Sequence, residues 1–180
     1  MAVVTITGHL GSGKTTVAKI ISQTLGWPHH YTGKIMRDLA EQRNLTIEEF
    51  YKQLEESPDL EKEIDRKQAG IINSQDNIVA EGRMAFFFPS QFKKINVFFK
   101  VDELEGARRM KDRPDNQNRT LEEILTKARD RLNTERERYK KLYGIADHMD
   151  EKLFNVVIDT TELSADATTD LLLENLRALI

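Results

Sequence analysis

An α/β fold, three layers deep, with a parallel sheet of about five strands and helices on both faces, is predicted by two features of the sequence. Short apolar runs rich in β-branched residues alternate with stretches of helical period, so every connection between strands is a crossover. The first run leads into Gly8-His9-Leu10-Gly11-Ser12-Gly13-Lys14-Thr15, a glycine loop that opens a helix. At 180 residues with 39% hydrophobic content the chain can bury one sizeable core, and two domains would be cramped, so residues 1–180 read as a single domain.

Ala2-Val3-Val4-Thr5-Ile6-Thr7 is the first buried strand, and the helix after the loop runs through Thr16 to Leu25 until Gly26-Trp27-Pro28 stops it. His29-His30-Tyr31 reads as a short second strand. Thr32-Gly33 opens a helix whose stripe is Ile35, Met36, Leu39 and Ala40, which places Arg37 and Asp38 on its flank. From Thr46 to Gln75 the pattern is helical but more charged than apolar. Thr46 with Glu49 forms a capping box, Ser57-Pro58 marks a break, and Glu61 follows close behind it, giving two helices over the sheet edge. Asn77-Ile78-Val79-Ala80-Glu81 is a buried strand whose carboxyl end opens onto Gly82-Arg83.

Phe86-Phe87-Phe88-Pro89 fits neither helical nor strand period and reads as a packed turn before the strand Ile95–Val101. A helix from Leu104 to Met110 gives way to the wholly polar segment 111–119, expected to be a mobile loop. The long helix Thr120–Tyr143 carries Leu121, Ile124, Leu125, Ala128, Leu132 and Tyr139, and a second capping box at Thr120 and Glu123 starts it. Phe154–Asp159 is the last strand and Ser164–Ile180 the closing helix.

Composition narrows the function. A net charge of −3 gives no global basic field, which argues against nucleic acid as partner. No cysteine is present, so disulfides, thiol nucleophiles and cysteine-bound zinc are excluded. No leader-type segment precedes the first strand and no apolar run reaches membrane-spanning length, so no membrane partner and a cytoplasmic location are expected. His9, His29, His30 and His148 lack metal-ligand spacing, although His9 lies within the loop and could touch a nucleotide.

The spacing G-x-x-x-x-G-K-[ST] between strand and helix is that of a phosphate cradle, the mark of a P-loop NTPase fold. Its backbone N–H groups wrap a phosphate, Lys14 reaches the β and γ phosphates, and Thr15 offers a hydroxyl to Mg²⁺. Glu81, at a strand end on the same rim, is placed to hold a water of that Mg²⁺. Arg37 follows the second strand and Arg83 the third; a planar guanidinium suits a phosphate monoester, and Arg83, wedged between Gly82 and an apolar segment, needs a partner. Arg109, Arg113, Arg119, Arg129, Arg131, Arg136 and Arg138 gather around the polar loop and its return helix, the pattern expected of a lid. Arg131 and Arg138 stand two helical turns apart on one face, whereas Arg119, Arg129 and Arg136 are expected at the surface, with Glu135 and Glu137 as interleaved partners.

Taken with Thr32-Gly33-Lys34-Ile35-Met36-Arg37, Glu81-Gly82-Arg83 and Arg131…Arg138-Tyr139-Lys140…Tyr143-Gly144-Ile145, the cradle resembles that of the cytidylate kinase family in its short archaeal form. The likeness runs nearly end to end, through Leu45–Phe50 and Glu63–Gln68. It implies transfer of the γ-phosphoryl group of ATP to CMP or dCMP with Mg²⁺, by a monomer whose partners are nucleotides. By position it implies that Gly8, His9, Leu10, Gly11, Ser12, Gly13, Lys14, Thr15 and Thr16 form the ATP cradle, flanked by Arg109 and Arg113. Arg37 and Arg83 are then clamps on the acceptor phosphate. Arg131 and Arg138 become lid arginines that act with Lys14 on the transferring group, and Asp65, Arg66 and Gln68 are candidates to read the cytosine edge. The helical region at about 32–75 would bind the acceptor and the segment at about 109–138 would be the lid. The departures are Lys14, where short-form members often carry Thr, His9-Leu10, where they carry small residues or Pro, and Met84 after Arg83, where the longer bacterial form has an acid.

Other readings share parts of this pattern. A kinase of the same fold acting on AMP, UMP or a small metabolite needs the same phosphate machinery and differs in a few pocket hydrogen bonds. A nucleotide-driven switch usually carries a strand ending in Asp for Mg²⁺, whereas this strand ends Glu81-Gly82-Arg83. A binding module without catalysis would have no use for both Lys14 and Thr15.

Overall fold

The computed structural model describes residues 2–180, with the backbone alone at 48, 55 and 115. In chain order the elements are β1 (Ala2–Gly8), α1 (Lys14–Leu25), β2 (His29–Tyr31), α2 (Thr32–Gln42), α3 (Ile47–Glu56), α4 (Pro58–Ser74), β3 (Ile78–Glu81), β4 (Lys93–Lys100), α5 (Glu103–Lys111), α6 (Leu121–Tyr143), β5 (Val156–Asp159) and α7 (Ala165–Leu179). The five strands form one parallel sheet in the order β2-β3-β1-β4-β5. β1 is buried along its whole length because it lies at the centre, with helices on either side.

The period-2 geometry of β1 splits its side chains between two cores. Val4 and Ile6 pack against Val17 and Ile21 of α1 and Leu172 and Leu176 of α7. Val3 faces the other way, onto Ile72 of α4, Met84, Phe86, Phe88 and Tyr139 of α6. The register aligns the carboxyl ends: Ile6 and Tyr31 both pair with Glu81, and Gly8 pairs with Phe99. The loop after β1, the turn after β3 and the segment after β4 therefore share one rim, as open parallel sheets require of their ligand side.

The two charged helices expected over the sheet edge are present, but their packing differs. Met36, Leu39 and Ala40 of α2, Phe50 and Leu54 of α3, and Leu60 and Ile64 of α4 form a separate small core, so these three helices bury one another. Only the far end of α4, at Ile72, enters the core beneath the sheet. Both capping boxes are present. The aromatic turn holds Phe86 and Phe88 in the core, while Phe87 is 41% exposed and lies 5.1 Å from the ring of Tyr143. Within the polar segment 111–119 a 3-10 turn forms at Pro114–Asn116, and Asn116 Nδ2 donates to the carbonyl of Met110 at 2.9 Å.

Candidate active site

Strand β1 ends in a loop that only glycine can complete. A Cβ on Gly11 would stand 2.2 Å from the carbonyl oxygen of Gly106 in α5, and its φ of +77° lies in the left-handed region. Gly13, also left-handed, occupies the N-cap of α1 without capping it, and the first turn holds no acid, so the helix offers bare N–H groups to an anion. The loop is pinned from three sides. His9 N donates to Phe99 O at 3.0 Å, and His9 Nδ1 lies against the backbone of Val101. Ser12 Oγ donates to His9 O at 2.9 Å, and Thr160 Oγ1 donates to Ser12 O at 3.3 Å.

Lys14 curls back over this loop, donating to Gly8 O at 2.9 Å and His9 O at 2.5 Å. Burial holds its ammonium well below the ordinary lysine range; Arg83, Arg131 and Arg113 push the same way and Glu81 opposes them. Of these arginines, Arg83 reaches the loop directly, through the carbonyl of Gly8. Thr15 Oγ1 donates to Glu81 Oε1 at 2.7 Å, and His29 Nε2 lies 3.2 Å from Glu81 Oε2. Burial alone would raise the Glu81 carboxyl, but the hydrogen bonds to His29 and Thr15 and the charge of Lys14 bring it below the usual range, so it stands ionised.

Arg83 projects from the end of β3 between the loop and α6. Its Nη1 donates to Gly8 O, and its Nε lies 3.0 Å from Glu135 Oε2. Glu135 also accepts from Arg131 Nε at 2.8 Å and sits 3.6 Å from His148, a residue with no exposed surface. Burial would push the Glu135 carboxyl up, yet Arg83, His148 and Arg131 hold it well below the carboxylate range. One buried carboxylate therefore sets the place of two arginines, of which Arg131 remains 49% exposed.

Across from α6, the helices α2 and α4 supply the remaining candidates. Arg37 donates to the Tyr31 hydroxyl at 2.6 Å and lies over its ring. Gln68 Nε2 donates to Glu81 O at 3.2 Å, and Gly82 leaves room for it: a Cβ there would meet Gln68 and Thr32 within 2.4 Å. Asp65 accepts from the Tyr143 hydroxyl, and Arg138 Nη1 lies 3.4 Å from Glu61 Oε2. Burial pushes the Asp65 carboxyl up to about 6 and that of Glu61 up to about 7, in each case against Arg138.

Arg83 and Glu81 thus stand at the loop with Gly8 through Thr16, Arg131 is tied to Arg83 through Glu135, and Arg113 is connected to Lys14 only through its charge. Asp65 and Gln68 are buried, held by Tyr143 and by the Glu81 carbonyl, while Arg138 pairs with Glu61 and Arg37 rests on Tyr31. Arg109 stands apart from this pattern. Its guanidinium donates to the carbonyls of Thr160 and Thr161 at 2.8 and 2.9 Å and to Glu105 at 2.9 Å, so it braces the turn that holds Ser12. Arg129 and Arg136 pair at the surface with Glu103 and Asp147. Glu135 is the residue that sequence reasoning misplaced. Its signal was positional: it falls in line with Ile124, Ala128 and Tyr139 on the inward stripe of α6, not on the solvated face. His29, on the edge strand β2, lies beside Glu81 with its Nε2 3.2 Å from Oε2, a contact that no spacing in the sequence announces.

A family model described as AAA domain matches residues 4–141. Among curated proteins, the chain is 34% identical over 179 residues to a cytidylate kinase of Methanopyrus kandleri, covering 94% of this chain and 90% of that one. It is 32% identical over 166 residues to a cytidylate kinase of Methanothermobacter thermautotrophicus, covering 92% and 99%. Two crystal structures share the fold at low identity. An uncharacterized protein from Eubacterium ventriosum superposes with a TM-score of 0.73 at 17% identity over 98% of both chains. Shikimate kinase from Bacteroides thetaiotaomicron does so with a TM-score of 0.65 at 19%, also over 98% of both.

Proposed function

Because the chain belongs to the cytidylate kinase family, we propose that it transfers the γ-phosphoryl group of ATP to CMP or dCMP, yielding ADP and CDP or dCDP. The observation that carries this reading is the buried Lys14 folded over a glycine cradle beside Arg83, where burial first and then the charges of Arg83, Arg131 and Arg113 depress its ammonium. Such a field favours a polyanion, and the bare N-terminus of α1 adds to it. Lys14 and the loop hold the β and γ phosphates of ATP, and the lid arginines follow the charge as the phosphoryl group moves. Arg109 contributes through the Thr160–Thr161 turn that braces Ser12, and Arg113 acts from the solvent side.

Mg²⁺ fits the pair formed by the Thr15 hydroxyl and the ionised Glu81 carboxylate, hard oxygens 2.7 Å apart at the foot of α1. When bound it would neutralise charge on the phosphates. Among the described residues no three carboxylate or imidazole side chains converge, which suits a cation held mostly by phosphate and water.

Arg37 and Arg83 clamp the acceptor phosphate, with Asp65 and Gln68 deeper between α4 and α6 on the base side. The helices at 32–75 and the segment 109–138 close on the two substrates and exclude water, suppressing idle hydrolysis. The same reading makes the protein a cytoplasmic monomer working on free nucleotides; among the described residues no helix is long and apolar enough to cross a membrane.

ADP release from Mg²⁺-ATP, measured with CMP, dCMP, UMP, AMP, GMP or no acceptor, tests the proposal. Strong stimulation by CMP or dCMP is the expected result. Stimulation by another nucleotide alone would keep the phosphate chemistry and overturn the acceptor, and acceptor-independent release would point to a nucleotide-driven switch.

A further inference from the structure

Strand β2 turns His29 and Tyr31 to one face of the sheet and His30 to the other, where His30 Nε2 lies 3.1 Å from the side-chain nitrogen of Gln75. On the rim side His29 Nε2 stands 3.2 Å from Glu81 Oε2, and the two side chains are only 10% and 12% exposed. The His29 ring is stacked on Tyr31, with centroids 5.3 Å apart and planes inclined by 23°, so the imidazole cannot swing away without losing that contact. Tyr31 is itself held by Arg37 through its hydroxyl and its ring face.

A carboxylate has two oxygens and a soft terminal torsion, so one anchored oxygen determines where the other points. Glu81 Oε2 is anchored by His29 and Oε1 reaches the Thr15 hydroxyl. We propose that His29 is a positioning residue for the magnesium site, its Nε2–H fixing the Glu81 carboxylate so that Oε1 stays beside Thr15. This rests on the reading of Thr15 and Glu81 as the magnesium side of the cradle. The role belongs to orientation: neutral imidazole with its proton on Nε2 suffices as donor. Groups that orient metal-site carboxylates typically change metal affinity by about 10–100-fold when removed.

The test is Mn²⁺ binding to the full chain with a non-hydrolysable ATP analogue, followed by electron paramagnetic resonance, alongside thermal unfolding of each variant. His29→Phe keeps a ring on Tyr31 and deletes the donor. It is expected to bind Mn²⁺ about tenfold more weakly than the unaltered protein. His29→Gln, whose amide nitrogen reaches the place of Nε2, is expected to recover most of that loss. His30→Ala, in the same strand but facing away, is expected to leave Mn²⁺ affinity unchanged even where it lowers the melting temperature. Equal Mn²⁺ affinity in folded His29→Phe and unaltered protein would overturn the proposal while leaving the parent reading intact. Failure of the unaltered protein to bind Mn²⁺ with the analogue would overturn both. Should His29→Phe not fold, His29→Leu measured in the same way decides the question.

Discussion

Lys14 is held among like charges, folded onto the carbonyls of its own loop. On the proposed function its replacement by alanine removes the group that follows the γ-phosphoryl, and a preorganised charge of this kind is worth about 10²–10³-fold in kcat. Single-turnover transfer by Lys14→Ala should fall by at least that factor while the protein remains folded. Glu61 makes the opposite kind of prediction. Its carboxyl, buried beside Arg138, keeps its proton up to about 7, whereas an ordinary glutamate loses it near 4.5. Between those values the native state binds more protons than the unfolded chain, so stability falls as pH rises through that window, by about 3 kcal/mol for this group. Asp65, raised to about 6, acts in the same direction. Urea unfolding of the nucleotide-free protein should therefore show lower stability at pH 8 than at pH 5.5, with a shallower difference in Glu61→Gln. At this scale the glycine cradle was legible because it depends on local spacing, and Glu81 and Arg83 could be placed at a strand end, although their meeting with the loop depends on the pairing of β3 with β1. Glu135 was not legible, because a charge on an inward stripe is recognised only when its partners Arg83 and His148, distant in sequence, are brought to it.

At the scale of elements, the loop and α5 are fitted so closely that neither tolerates a methyl group between them. A Cβ on Gly106 would lie 2.7 Å from the carbonyl of Leu10 and 3.1 Å from Val101. Gly106→Ala must push the loop away, and overpacking of this kind costs about 1–3 kcal/mol. ATP affinity, measured by calorimetry, should drop by about tenfold, although residue 106 lies outside the glycine loop itself. Helix α6 carries its own signal in the Thr120–Glu123 capping box, where Thr120→Ala should lower stability by about 1 kcal/mol in chemical unfolding. Both capping boxes could be read directly, since a cap is a matter of four consecutive residues. The partnering of α2, α3 and α4 could not. Their stripes show that each buries a face, but Phe50 and Leu60 meet Met36 and Leu39 only through tertiary packing.

For the molecule as a whole, the strand order β2-β3-β1-β4-β5 decides what the site contains. Alternating strands and helices announced a parallel sheet, yet the sequence is silent on which strands become neighbours, because pairing is non-local. With β3 beside β1, Glu81 and Arg83 arrive next to the loop; with β2 beside β3, His29 and Tyr31 reach Glu81. β4 on the other side delivers α5 against the loop and sends α6 back over it. On the proposed function, this is the rim to which two anionic substrates come, with the arginines that join them supplied by the same chain. The direct test of this account is ³¹P nuclear magnetic resonance of a reaction containing Mg²⁺, ATP and CMP. The account predicts that the β-phosphate signal of CDP grows in step with ADP and that inorganic phosphate stays near background. Growth of inorganic phosphate at the expense of ATP, with CMP left unchanged, would contradict it.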